Sequence, residues 1–570
     1  MRYAVRPQKT ILFTGGCLLF ILVFLLCNYP YKVSAQALDV QKYDIGTPVV
    51  MDVWVDYTNG NDSNNGSSRS QALKTLNAAW NLIPEGQELA ETGYRVMLAA
   101  GNYPRDSIPN YLENRLGTAQ FPVIFQSADG RGKAQLNGDL NIYNSSYFYL
   151  IDIAIMPDPP GDAFHCEKCN HFLIRGTTLS VANRAAQEVI KINQSQYIYI
   201  EDSDISGAYD NAIDFVAVQY GHVKANRIHD SEDWCFYAKG GSGYLLVEGN
   251  EVFNCGTGGI TAGQGTGFEY MVSPWLHYES YDIKIINNLI HDTNGAGLGV
   301  NGGYNILLAY NTLYRVGARS HLIEVVFGSR SCDGDTDRCT ANLQAGGWGT
   351  VSADSPQLIP DRNVYIYNNL IYNPDGYQSG YQHFAIYGSQ QPSDNSNIPA
   401  PARTDTNLQI KGNIIWNGSA DYPLGIEDEN AGCPPANPTC NAEQLRRDNM
   451  INIFQPQLVN PVIGDFHPIS ANNGLNARSV AIPDFVGGDL PQSWNIPGGN
   501  IANNINRDLE ANQRSDKVQA GALLAQGSVA STSANVAHIT TPSVAQPQKA
   551  QAALFNTLLA LFFKALGKLY

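Results

Sequence analysis

Charge is scarce in this chain, and positive charge scarcest. Only 15% of the 570 residues are charged, and 36 Lys and Arg stand against 52 Asp and Glu, a formal charge of −16. That deficit argues against a nucleic-acid partner. It also requires any anionic glycan to find a local basic group or a bridging cation. Zinc-type ligand sets are missing as well. One CxxC occurs, Cys166-Glu-Lys-Cys169, and no second CxxC or paired His follows it; a small loop disulfide is the better reading. Helical repeats are excluded by period-2 alternation and by frequent Gly and Asn punctuation.

What is present is one line written many times between about Phe121 and Asn417. Stacked, segments such as YIYIEDSDISG (Tyr197–Gly207), YLLVEGNEVFNC (Tyr244–Cys255) and NVYIYNNLIYNP (Asn363–Pro374) put Thr177, Ser203, Asn226, Asn250, Asn288, Asn311, Asn369 and Asn413 in a single column. An aliphatic residue stands three before each (Ile174 to Ile410) and another two after (Leu179 to Ile415). Column spacings run 26, 23, 24, 38, 23, 58 and 44. The basic period is therefore 23–26 residues, with three coils enlarged. Such a repeat is a solenoid signature. The Asn column is expected at tight turns, where Asn tolerates left-handed backbone and its amide bonds along a ladder.

This pattern resembles the right-handed parallel β-helix of the pectate-lyase-like superfamily over roughly Val53 to Ala522. The resemblance implies an all-β solenoid and says little about activity. VWVDYTNGNDSNNG, then SQALKTLNAAWNLIP, then RVMLAAGNY looks like the entry of many secreted β-helix enzymes. Leu73, Leu76, Ala79, Trp80 and Ile83 fall on one helical face, so Ser70–Pro84 is expected to cap the open end of the solenoid. The organisation reads as a signal segment (1–37), a cap and first coil (38–110), repeats (111–420), irregular C-terminal coils (421–525), a linker (526–551) and a hydrophobic tail (552–570).

The signal reading rests on Arg2, Arg6 and Lys9 before the apolar run Ile11–Cys27, with Ala35-Gln36-Ala37 as a small-x-small cleavage pattern. It places the protein in the secreted or cell-surface compartment, the alternative to cleavage being an uncleaved anchor, since 17 residues nearly span a bilayer; there an even number of cysteines implies disulfides. Cys332 with Cys339 and Cys433 with Cys440 each bracket a polar loop. Cys235 and Cys255 are about one coil apart. The tail Ala552–Tyr570 is apolar enough to lie on a membrane surface or to dock on the last coil. The chain is expected to be a monomer.

The enlarged coils add Thr266–Ser280, Ser329–Arg362 and Ser389–Thr406, all leaving at one corner, where insertions usually build a binding wall. The first carries Phe268, Tyr270, Trp275 and Tyr278, rings suited to sugars. Counting thirteen residues from the Asn column gives Val216, Lys239, Gly263, Asn301 and Glu324. Counting eleven gives Asp214, Tyr237, Thr261, Gly299 and Leu322. Alternation points both sets outward beneath the insertions.

Lys239 suits β-elimination on a uronate, as base or as carboxylate partner, with Asp214 and Glu324 assisting. Tyr237, Asn301, Trp275 and Tyr270 are the expected sugar contacts. Asp210, Asp230, Glu232 and Asp233 could hold calcium. HDSEDWCFYAK (His229–Lys239) is loosely similar to the acidic run before a Lys-bearing strand in calcium-dependent pectate lyases. The next coil, GGITAGQGTG, departs from them, having no Lys where such an enzyme keeps its base. Two rivals stand. A glycoside hydrolase could use Asp214 with Asp233 or Glu232, although the polygalacturonase pattern is absent. A non-catalytic glycan-binding or matrix protein needs none of these. A ring column (His229, Phe253, His291, Tyr314, Tyr372, Trp416) reads mainly as sheet-surface stacking, and His321 reads as a core histidine.

Overall fold

The computed structural model describes residues 41–393, 396–426, 441–470, 475, 479–486, 502–514 and 519–525. The expected signal segment, linker, hydrophobic tail and the Cys433–Cys440 pair lie outside the described residues. Among those described, no helix is long and apolar enough to cross a membrane.

Three long parallel sheets of 12, 10 and 12 strands run side by side along one axis. The first sheet starts at Val50–Val55 and ends at Gln409–Lys411. The second runs from Leu112–Glu113 to Gln382–Ile386, and the third from Gly101–Pro104 to Met450–Ile451. Each coil between Gly93 and Ile386 gives one strand to each sheet, and the terminal coils give fewer. The two aliphatic columns legible in the sequence are true registers. Ile174, Ile200, Val223, Val247, Ile285, Leu308, Ile366 and Ile410 pair in turn along the first sheet. Leu179, Ile205, Ile228, Val252, Ile290, Leu313, Ile371 and Ile415 do so along the third. Both rows lie in one continuous buried core, so each coil hides its apolar face only against its neighbours.

The Asn column forms the expected amide ladder between the first and third sheets. Asn311 shows the pattern. Its Oδ1 accepts from Asn288 N and Nδ2, both at 3.0 Å, and its Nδ2 donates to Asn369 Oδ1 at 3.0 Å and to Ile285 O at 2.9 Å. The ladder runs one rung beyond the sequence reading, to Asn449. The backbone expectation needs correcting: the left-handed residue is the one before the column, as at Ala225, Asn287, Tyr310 and Asn368. That residue makes the turn, and the column Asn bonds across it. Asn311→Ala strands several buried groups at once. It should cost about 3 kcal/mol, from the cost of leaving each buried partner unsatisfied, measured by denaturant unfolding.

A second row, at the start of the first-sheet strands, changes character along the axis. Tyr147, His171, Tyr197, Tyr220 and Tyr244 stack ring on ring at 4.2–5.0 Å. Asn305, Asn363 and Asn407 then continue as an amide ladder. Between the two halves sits Asp282, a buried residue whose carboxyl burial pushes up to about 7. A raised acid favours the folded state while protonated, and that advantage is lost as pH climbs toward 7. Asp282→Asn should therefore raise the melting temperature at pH 8 and leave it nearly unchanged at pH 4.

Within Ser70–Pro84 the helix is one short turn, Leu76–Trp80, N-capped by Thr75. Trp80 lies flat on Phe148 and edge-on to Phe125, at the interior of the early coils. Parts of the irregular C-terminal region return along the outside. Phe485 packs on Tyr365, Arg514 sits 4.0 Å over the Tyr310 ring, and Ala522 N bonds Thr312 Oγ1 at 2.9 Å.

Candidate functional site

The three insertions build one body at the corner where second-sheet strands turn into the first sheet. Gly265–Gly267 pairs parallel with Gly328–Ser331, which pairs antiparallel with Gln357–Ile359. The helix Thr336–Gln344, N-capped by Asp335, packs on the turn Phe268–Tyr270. Trp275, Tyr278, Trp348, Ile398 and Ala402, drawn from all three insertions, share an apolar cluster. This overturns the expectation that the first insertion offers its rings to sugars. Phe268, Trp275 and Tyr278 are buried in the wall's own core, and Tyr270 alone of the four stays exposed.

The wall is tied to the sheet through a fully buried ion pair, Arg330 with Glu279. Arg330 Nη1 also donates to the carbonyls of His277 (2.6 Å), Trp348 (2.7 Å) and Leu276 (3.2 Å). Glu279 Oε2 accepts from Thr266 Oγ1 at 2.6 Å and from Gly240 N at 3.0 Å. Gly240 follows Lys239, so the wall fixes the end of the Lys239 strand. Its φ of 65° and a would-be Cβ only 2.9 Å from Thr266 Cγ2 explain the glycine.

Beside the wall lies the outer face of the second sheet. One column reads His165, Lys191, Asp214, Tyr237, Thr261, Gly299, Glu324 and Ala385. The next reads Asn193, Val216, Lys239, Gly263, Asn301 and Val326. Glu324 therefore belongs to the Asp214 column, and Leu322 points into the core. The count from Asn311 runs two short because the turn around Gly317–Ser320 is longer than its neighbours. Asp214 and Glu324 stand four strand steps apart, about 19 Å, and cannot serve one bond together. His321 is also not a core residue: its Nε2 lies 3.0 Å from Glu324 Oε2 on the outer face.

Two clusters result. In the first, Lys191 Nζ lies 3.1 Å from Glu188 Oε1 and 3.3 Å from Asp214 Oδ2. Neither Lys191 nor Glu188 was singled out from sequence. Burial, opposed by Lys191 and reinforced by Asp214, pushes the Glu188 carboxyl up to about 7. Burial alone would lower the Lys191 ammonium, but Asp214 and then Glu188 outweigh it and hold it above its ordinary value. Asp214 Oδ1 is buried with no hydrogen-bond partner among the described residues. Tyr237 covers this group, its hydroxyl pushed well up by burial and then by Asp214.

Lys239 Nζ sits 4.4 Å over the Tyr237 ring and has no ion pair among the described residues. Asp210 lies within its electrostatic reach, and burial followed by the charge of Asp233 raises the Asp210 carboxyl. Asp230 and Glu232 turn elsewhere. Asp230 bonds His229 Nδ1 at 2.8 Å, and both acids face Arg184, at 3.6 and 3.5 Å. Of the four residues expected to hold a cation, only Asp210 and Asp233 act as a pair, and no three of the four converge within 4.8 Å. In the second cluster, Thr261 Oγ1 donates to Asn301 Oδ1 at 2.6 Å, and Asn301 Nδ2 to Glu324 Oε1 at 3.1 Å. His321 completes the chain. Asn301 and Lys239 are two steps apart, about 10 Å.

Disulfides join Cys166 to Cys169, Cys235 to Cys255 and Cys332 to Cys339. The ring column on the third sheet is internal stacking, with Phe253 sandwiched between His229 and His291 at 4.5 and 5.0 Å.

A family model described as "Right handed beta helix region" matches residues 162–334. No curated protein matches the chain. Among solved structures it is similar to pectate lyase Pel9A at 15% identity and a TM-score of 0.42, over 85% of this chain and 98% of that one. A rhamnogalacturonan lyase matches at 13% identity and a TM-score of 0.40, over 65% and 87%. The catalytic unit of an α-1,3-glucanase from Streptomyces thermodiastaticus matches at 15% and 0.40, over 67% and 61%. Three long parallel sheets, to which the coils between Gly93 and Ile386 each give one strand apiece, and the matched repeat region make this chain a right-handed parallel β-helix protein.

Proposed function

We propose that the protein is an exported polysaccharide lyase that cleaves a uronate-containing glycan by β-elimination on the walled face of the second sheet. One observation carries this reading: Lys239 makes no ion pair among the described residues and stands next to the Asp210–Asp233 pair, whereas Lys191 on the same face is held by Glu188 and Asp214. Elimination needs a base for the proton beside the uronate carboxylate, and positive charge to stabilise the carbanion that forms. Lys239 is the base. Asp210 and Asp233 fit a hard dication such as calcium, because two neighbouring carboxylates repel and a cation relieves them. When bound there, calcium neutralises the uronate carboxylate and lowers the proton affinity of the nearby amine. Tyr237 holds the Lys239 side chain over its ring, and Glu279 holds the following turn. The three disulfides suit an exported protein, and the signal-like N-terminus agrees with them.

The test mixes the protein with polyuronates and mixed uronate glycans, with calcium or with chelator. Ultraviolet absorbance of unsaturated uronate and reducing ends are followed in parallel. Absorbance that rises with calcium and vanishes with chelator is expected. Glu188 and Asp214 favour a second reading, since two carboxyls share Lys191 and one is raised to about 7, as a glycosidase acid would be. Reducing ends without absorbance, lost in Glu188→Gln, would establish that hydrolase instead. Silence in both channels, with retention on a glycan column, would leave a binding scaffold.

A further inference from the structure

We infer that the substrate is a heteroglycan in which neutral sugars separate the uronates, and that a glycan with a carboxylate on every sugar is excluded. This rests on the reading of the walled face as a uronate-glycan site and adds its specificity.

The argument is the distribution of charge along the face. On the two outer columns the lysines are Lys191 and Lys239. Lys191 is already held by Glu188 and Asp214, so it has little left for a ligand. Arg319, in the turn before the His321 strand, bonds the neutral Thr257 Oγ1 and keeps its charge, but it lies off both columns. On the two columns themselves, uncommitted positive charge is therefore confined to Lys239 and the neighbouring pair that fits a dication. Further along the axis Thr261, Gly299 and Asn301 are buried, so the expected sugar contact at Asn301 is not open to a ligand, and the face presents the half-buried Glu324 and His321. Glu324 is fixed there by Asn301 and His321. A carboxylate accepts hydrogen bonds from sugar hydroxyls with its remaining lone pairs, but it repels a second carboxylate. On the other side of Lys239, the buried Glu188 and Asp214 outnumber Lys191 and leave it no charge for a second carboxylate. One uronate at Lys239 flanked by neutral sugars satisfies every part of the face. A polyuronate sets a carboxylate against Glu324 on one side and finds no free lysine for its carboxylate on the other. Specificity here comes from a repulsive element as much as from an attractive one.

The full chain is tested by calorimetry at matched salt and calcium against polygalacturonate and alginate, and against gellan and hyaluronan, in which other sugars separate the uronates. At least tenfold tighter binding of one of the latter two is expected. Glu324→Lys should then gain at least tenfold for polygalacturonate, with its circular dichroism unchanged. Polyuronates bound as tightly by the wild-type chain would overturn this inference and leave the uronate reading standing. A wild-type preference unmoved in a folded Glu324→Lys protein would remove Glu324 as its cause and overturn the charge argument. Binding of none of the four glycans would defeat the uronate reading itself, and the inference with it.

Discussion

Lys239→Ala should lower the rate of elimination by about a thousandfold, within the usual range for loss of a positioned acid or base, and leave the melting temperature almost unmoved. The two halves of that expectation have separate causes. Lys239 makes no ion pair among the described residues, and its contact is the Tyr237 ring at 4.4 Å. An exposed cation–π contact contributes only about 0.5–1 kcal/mol, so folding hardly depends on it. The chemistry depends on it fully if its amine takes the proton. Lys239→Arg separates the roles. A guanidinium keeps the charge but does not give up its proton, so an Arg variant stays as inactive as Ala if Lys239 is the base. Recovery of most activity by Arg would make Lys239 a carboxylate partner and move the base elsewhere, with Asp210 the first candidate because burial and Asp233 raise it.

The largest stability effect is expected at Arg330. Arg330→Ala leaves Glu279 charged, fully buried and unpaired, and takes donors from three carbonyls. Breaking a buried pair from one side costs about 3–5 kcal/mol. The loss should fall on the wall, because the solenoid beneath it is held by its own amide ladder and core. Hydrogen exchange should show early opening at Gly240, whose N–H bonds Glu279, while the coil around Asn226 keeps its protection. The double variant Arg330→Met with Glu279→Leu removes both charges and should cost less than Arg330→Ala alone, as similar apolar replacements do. A double variant as unstable as the single one would show that packing of the guanidinium, not its charge, holds the wall. Since Glu279 also fixes the residue after Lys239, Arg330→Ala should lower activity together with stability.

Much of the fold was legible because a solenoid writes its periodicity directly into the chain. The Asn column and its two aliphatic companions repeat at fixed offsets, since every coil must make the same turn and bury the same faces. The rings of the first insertion were misjudged for a related reason. An insertion that builds a wall needs a core of its own, and Trp275 and Tyr278 fill it. Nothing in their spacing separates that use from sugar stacking.

The site was less legible because it is assembled across coils of unequal length. Counting from the Asn column works where coils are regular, and it placed Asp214, Tyr237, Lys239 and Asn301 on the outer face. It fails by two residues at Glu324, and it passes over Lys191, whose coil carries extra residues around Ala182–Arg184. A signal was available: the strand IKIN before Gln194-Ser195 has the same alternation as IDFV before Ala217. The sequence by itself determined the repeat, the buried columns, the ladder and the corner from which the wall leaves, because each depends on bonds within a coil or to the same position in the next. Only the tertiary structure decided that Glu188 and Asp214 share Lys191, that Lys239 makes no ion pair among the described residues, and that Arg330 ties wall to sheet. Those contacts join residues whose separation along the chain varies with every insertion, so no fixed period encodes them.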